Sequence, residues 1–234
     1  MKFTGRNNLA VVQRRVEPAD SLDFFPTPPW ATRALFEHVI LRTKILEHTI
    51  GAGRLARDPC CGEGHMAAVL AEYCEAVTAS DIHPYGFGAV ADYRLFEPAQ
   101  GAVDWVFINP PFKTAADFLD TALRDAQHGV AMLARSNWKH GPGRYKRFFR
   151  DRPPRVIAPF VERVPMVKGR WDPNAKTMTE YSWFVWTRDE ALGWTPRDGT
   201  REVWIPPGCR KALTRREDFE RFAAKSAAPL LEEA

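Results

Sequence analysis

Apolar and polar residues alternate along this chain in two rhythms, one of strands and one of helices. Residues 54–84, RLARDPCCGEGHMAAVLAEYCEAVTASDIHP, predict a strand, a glycine-rich turn, a helix from about 64 and a second strand ending at Asp81. Met66, Ala67, Val69, Leu70 and Tyr73 give that helix an apolar side. Residues 102–112, AVDWVFINPPF, predict a buried strand that stops at two prolines. TAADFLDTALRDA then predicts an amphipathic helix, GVAMLAR a strand, TEYSWFVWTR a strand with alternating aromatics and REVWIPP a further one. Upstream, FFPTPPWATRALFEHVI predicts a loop followed by a helix opened by Pro29, with Leu35, Phe36, Val39 and Ile40 at helical spacing. From about 211 the chain predicts one C-terminal amphipathic helix with a frayed end.

Strands alternating with helices predict an α/β domain built on a mostly parallel sheet, with helices on both faces. The expected organisation is an N-terminal arm over 1–22, a main domain over 23–208 with a basic insert at about 135–180, and a C-terminal helix and tail over 209–234. In such sheets ligands bind beyond the carboxyl ends of the strands. Asp58 to Gly64, Asp81 and Asn109 to Phe112 all fall at those predicted ends.

Composition narrows the class without changing the fold. The 234 residues are 45% hydrophobic and 26% charged, ordinary globular values that exclude disordered and collagen-like chains. No run approaches the roughly 20 apolar residues of a membrane span, and the start lacks the apolar core of a secretory signal. The four cysteines form no CxxC pair and the six histidines show no ligand spacing, so neither a disulfide framework nor a metal site is expected. The expected location is the cytoplasm. Net charge is +4, but residues 135–155 hold eight basic side chains and one acid, +7, leaving the rest at 4 − 7 = −3. A basic block on a near-neutral body suits a phosphate backbone, the alternative being a solvated loop. Arg135, Lys139, Arg144, Lys146, Arg147 and Arg150 are the expected nucleic-acid contacts. Trp138, beside Lys139 and His140, is counted with them as a stacking platform, its plainer alternative being packing.

Two constellations carry chemistry. In the first, Gly62 and Gly64 let the backbone turn tightly beside a ligand, and Asp81, 17 residues beyond Gly64, can accept both hydroxyls of a ribose. Asp58 would repel a pyrophosphate but suits a cationic amino group such as that of S-adenosylmethionine. In the second, Pro110 and Pro111 stiffen the turn and remove backbone donors. The Asn109 amide oxygen and the Pro110 carbonyl can then grip an amino group by its two hydrogens, while Phe112 offers a face for a planar base. Each has a plain alternative, an ordinary βα turn for the first and a β-turn closing a strand for the second.

With FFPTPPWAT, DPCCGEG, ASDIHP and NPPF in that order, the chain resembles the S-adenosylmethionine-dependent DNA adenine-N6 methyltransferases, over about residues 23–188 and in the manner of small phage-like members. The resemblance implies a Rossmann-like class I methyltransferase fold and methyl transfer to the exocyclic N6 of adenine in DNA. It implies that Asp58 and the 62–64 turn hold the methionine part of the cofactor, with Phe25 and Thr27 closing over it. Asp81 would bind the ribose and Ile82 lie against the adenine. Asp92 and Tyr93 would touch its edge, Asp92 having a helix-capping alternative. Asn109 would close the cofactor crevice as well as lead the catalytic tetrapeptide Asn109–Phe112. Cys60 is counted among the cofactor contacts. The doubled cysteine stands where small residues are usual, and both thiols read as packing, not as nucleophiles. His65 and His83 read as polar rim residues. RNA adenine, a protein glutamine amide and an inactive cofactor-binding module remain the alternative readings.

Overall fold

The computed structural model describes residues 23–43, 54–95, 97 and 102–223. The expected N-terminal arm and the last residues of the expected C-terminal helix, 224–234, lie outside them. Among the described residues eight strands form one sheet: β1 (Leu55–Asp58), β2 (Ala76–Asp81), β3 (Ala89–Val90), β4 (Val103–Ile108), β5 (Ala126–Arg135), β6 (Val156–Pro159), β7 (Tyr181–Thr187) and β8 (Arg201–Glu202). Their order is β3-β2-β1-β4-β5-β7-β6-β8. The first five are mutually parallel, and β7 runs antiparallel to both β5 and β6.

Why the sheet is buried on both faces is legible in its strands. Along β5 and β7, alternate side chains enter opposite cores, as a two-residue period requires. Leu133, Trp183 and Val185 join one core; Met132, Phe184 and Trp186 join the other. The first core is covered by α1 (Pro29–Leu35), whose axis continues as a π-helical turn over Phe36–Ile40, and by α2 (His65–Leu70). The second is covered by α3 (Ala115–Asp125), whose Phe118, Leu119, Ala122 and Leu123 face inward, and by the short helical turns of residues 136–149, including α4 (Pro142–Arg144).

The C-terminal helix departs from expectation. Within the described residues it is two short pieces, α5 (Cys209–Leu213) and α6 (Arg216–Asp218), the latter continued by Phe219–Ala223. The break is stabilised locally and at long range. The Asp218 carboxylate accepts the Arg215 amide at 2.8 Å, and the same carboxylate receives the buried Arg33 guanidinium of α1 at 2.7 Å. Arg33 also donates to Glu72 and to the Leu213 carbonyl. One guanidinium thus ties α1, the end of α2 and the C-terminal segment together.

Among the described residues no helix is long and apolar enough to cross a membrane.

Candidate active site

β2, β1 and β4 are adjacent and parallel, so their carboxyl ends lie side by side. That alone brings Asp81, Asp58 and Asn109, far apart in sequence, to one edge. They open on a crevice of about 340 Å³. Phe25, Thr27, Cys60, Ile82, Asp92, Tyr93 and Pro111 also line it.

Asp58 is 1% exposed. One carboxylate oxygen accepts the Cys60 amide at 3.4 Å; the other, Oδ2, is buried without a partner. Burial, with the Asp81 charge nearby, pushes this carboxyl up to about 7. Asp58 lines the crevice, and a buried carboxyl with an unmet oxygen becomes, once ionised, a receptor for a cation. Asp81 is differently placed. Its two oxygens accept the Gly62 amide at 2.9 Å and the His83 amide at 3.1 Å, which pins the glycine-rich turn to β2 and leaves lone pairs toward the crevice. The donor set therefore fits a ligand with an ammonium group at one end and vicinal hydroxyls further along.

The turn itself requires glycine. Gly62 and Gly64 have φ of 51° and 87°; a Cβ at Gly62 would strike the Phe24 ring, and one at Gly64 would lie 2.6 Å from Phe87. Burial raises the thiols of Cys60 and Cys61, the latter up to about 12, which agrees with packing and not with nucleophilic use.

The Asn109–Phe112 turn is bound to the segment that precedes α1. The Asn109 amide nitrogen donates to the Phe25 carbonyl at 2.8 Å, the Phe112 amide donates to Asp23 at 2.7 Å, and the Gly169 amide donates to the Phe24 carbonyl at 2.9 Å. Its nitrogen also donates to the Met166 sulfur at 3.7 Å, so with both amide hydrogens engaged the Asn109 side chain has its oxygen to offer a substrate. The Phe112 ring sits 5.2 Å from Phe25, and the Arg135 guanidinium stands 4.4 Å over it. Phe112 and Pro110 adjoin the crevice without lining it.

Other expected residues divide. Tyr93 lines the crevice while its hydroxyl donates to the buried Asp125 at 2.8 Å, so it is anchored in the core. Asp92 accepts the Arg94 amide and pairs with its guanidinium, combining a capping role with a place on the wall. Ile82 is 49% exposed at the rim. Trp138 requires correction. It is 8% exposed and packed among Phe148, Phe149, Phe184 and Trp186, which leaves no ring face for a nucleobase. His65 also lines the crevice, as a buried side chain stacked on Phe222 at 4.1 Å and not as an exposed rim residue.

The basic block is less concentrated in space than in sequence. Arg147 reaches Asp117 and Asp120 of α3, Arg150 reaches Asp151, and Arg144 donates to the His140 carbonyl. Such exposed pairs are weak and exchange readily for phosphate oxygens. Arg135, Lys139 and Lys146 are exposed. Residues that the sequence reading did not single out also line the crevice, notably Asp23, Phe24, Tyr85 and Lys113. Phe24 stacks on Tyr85 at 4.5 Å. Among the described residues no cluster of three or more His, Cys, Asp or Glu could hold a metal ion.

No family model matches the chain, and no curated protein matches it in sequence. In structure it is similar to a modification subunit assigned to a type I restriction enzyme from Vibrio vulnificus, with 14% identity over 84% of this chain and 51% of that one, at a TM-score of 0.53. It is also similar to the methyltransferase subunit of a type I restriction-modification system from Streptococcus thermophilus, with 12% identity over 88% of this chain and 54% of that one, at a TM-score of 0.54. The chain spans about half the length of each. At such identity the likeness is one of architecture: the sheet with its inserted antiparallel strand is the α/β class I methyltransferase fold.

Proposed function

We propose that this protein transfers a methyl group from S-adenosylmethionine to the exocyclic N6 of adenine in DNA. The observation that carries the reading is the pairing of a buried, partnerless Asp58 oxygen with an Asn109 whose amide nitrogen is already committed, both at one crevice. Asp58 would receive the ammonium of the cofactor's methionine part and Asp81 its ribose hydroxyls, with Phe25 and Thr27 closing above. Ile82, Asp92 and Tyr93 would contact the adenine moiety. When bound, the cofactor supplies a methyl already activated on a sulfonium.

What remains for the protein is positioning and polarisation. An adenine amino group is a poor nucleophile because its lone pair is delocalised into the ring. The Asn109 oxygen and the Pro110 carbonyl, accepting its two hydrogens, would draw the nitrogen toward tetrahedral geometry and release that pair. Phe112 would hold the base by the face that the Arg135 guanidinium now covers at 4.4 Å and would leave for a phosphate. Because the target nitrogen lies inside a duplex, the nucleotide has to rotate out, at a cost of a few kcal/mol. Arg135, Lys139, Arg144, Lys146, Arg147 and Arg150 would hold the phosphates.

Radiolabelled methyl transfer to double-stranded DNA, total RNA and protein extract tests the reading. The expected outcome is label on DNA that Asn109→Ala abolishes with cofactor binding intact. Label confined to RNA or protein, or normal turnover by the variant, would overturn it.

A further inference from the structure

β7 runs antiparallel to β5, with Tyr181 opposite Arg135, so the chain just before Tyr181 emerges from the carboxyl edge of the sheet, on the side of the crevice. The Glu180 carbonyl accepts the Ser136 amide at 2.8 Å, which holds this segment beside Arg135 and thereby beside Phe112. Met178 lies two residues further out, within about 7 Å of Glu180 by strand rise.

Met178 is 88% exposed, the most exposed large apolar side chain among the described residues. The segment that carries it is tied down on its N-terminal side. The Thr179 amide donates to the Thr177 hydroxyl at 3.1 Å and the Asn174 amide to Asp172 at 2.9 Å. The Arg210 guanidinium of α5 reaches the Pro173 and Ala175 carbonyls. A scattered exposed methionine is unremarkable in itself. A methionine presented beyond the sheet edge on which the crevice opens, two residues from the Glu180–Ser136 contact, is placed for a partner that approaches that edge. The flanking charge indicates the partner: Lys176 and Arg135 are exposed, and the neighbouring acid Glu180 is already paired with Arg163 at 2.6 Å.

We propose that Met178 is a wedge that enters the base stack of duplex DNA as the target nucleotide leaves it. Slim apolar side chains, methionine among them, fill gaps between base steps in this way, and the unbranched thioether adapts to an irregular space. The wedge would lower the cost of extrusion while the flanking cations hold the backbone on either side. This inference rests on the DNA reading above.

Two readouts test it on unmethylated plasmid DNA: labelled methyl transfer, and permanganate oxidation of thymines unstacked in the complex. The wild-type protein, M178A and the size-conserving M178L are compared. M178A is expected to lose about tenfold or more in transfer, as an unassisted extrusion would, together with the permanganate signal; M178L keeps both. Wild-type transfer and oxidation by M178A would overturn the wedge while leaving the DNA reading standing. A loss of transfer with unchanged oxidation would also overturn it, because Met178 would then act after extrusion. A wild-type protein that labels RNA or protein but no DNA removes the reading itself, and the wedge with it.

Discussion

Removing the charge at Asp58 separates what the fold needs from what the site needs. This carboxyl titrates near 7 in the folded protein against 3.8 for an exposed aspartate, because burial disfavours its ionised form. A raised folded value means that the folded state holds the proton more tightly. The group is neutral in both states well below pH 4, and the stability cost builds between about pH 4, where the unfolded chain ionises, and about 7, above which it is constant. Three pK units correspond to about 4 kcal/mol of destabilisation at pH 8. Asp58→Asn keeps the shape and discards the charge. An amide hydrogen left unpaired returns part of the gain, so the net stabilisation is about 1–3 kcal/mol. For a chain of this size that raises Tm by roughly 3–10 °C at pH 8, and the difference shrinks toward pH 5. The same change should weaken S-adenosylmethionine binding about 100-fold, since a buried charge-assisted partner is lost. Wild-type affinity should fall about tenfold per pH unit below about 7, where Asp58 has to release a proton before holding a cation; the variant should show no such slope. Calorimetric melts and titrations between pH 5 and 8.5 read all of these. A variant that melts no higher than the parent at pH 8, or binds the cofactor as tightly, would refute the reasoning.

Asn109→Ala should reduce methyl transfer by about 100-fold or more, the usual cost of losing an oriented polar group at the reacting atom, with cofactor affinity by titration within a few-fold. Arg33→Ala should destabilise by about 3–5 kcal/mol, because Asp218 is left buried and unpaired; a loss below about 1 kcal/mol in urea melts would contradict the buried network. Trp138→Ala should cost about 3–5 kcal/mol of stability without altering the salt dependence of DNA binding. Lys146→Gln should leave stability unchanged and reduce the slope of log affinity against log salt by about one.

Much of the site was legible because parallel strands place their carboxyl ends together. Once strands ending at 58, 81 and 108 were recognised by their apolar runs, the convergence of Asp58, Asp81 and Asn109 followed from topology. What escaped was what depends on distant partners. β3 is two residues long and has no period to detect, and of the strand expected over REVWIPP only Arg201–Glu202 joins the sheet. β6 follows Pro153-Pro154 in a basic run that reads as loop. Trp138 stands between polar neighbours, yet a five-ring cluster assembled from three segments buries it. The C-terminal helix had the right apolar spacing, but Asp218 caps a break in it that only the presence of Arg33 makes favourable. Asp23 has no sequence signal at all; its role is to receive the Phe112 amide across 89 residues.

The crevice is proposed to activate an adenine amino group. Incubation of unmethylated double-stranded DNA with the protein and methyl-labelled S-adenosylmethionine, followed by enzymatic digestion and mass spectrometry of the nucleosides, tests it most directly. The expected product is N6-methyl-2′-deoxyadenosine, absent with Asn109→Ala. Label on cytosine, on RNA or on protein, or no transfer from a protein that binds the cofactor, would contradict it.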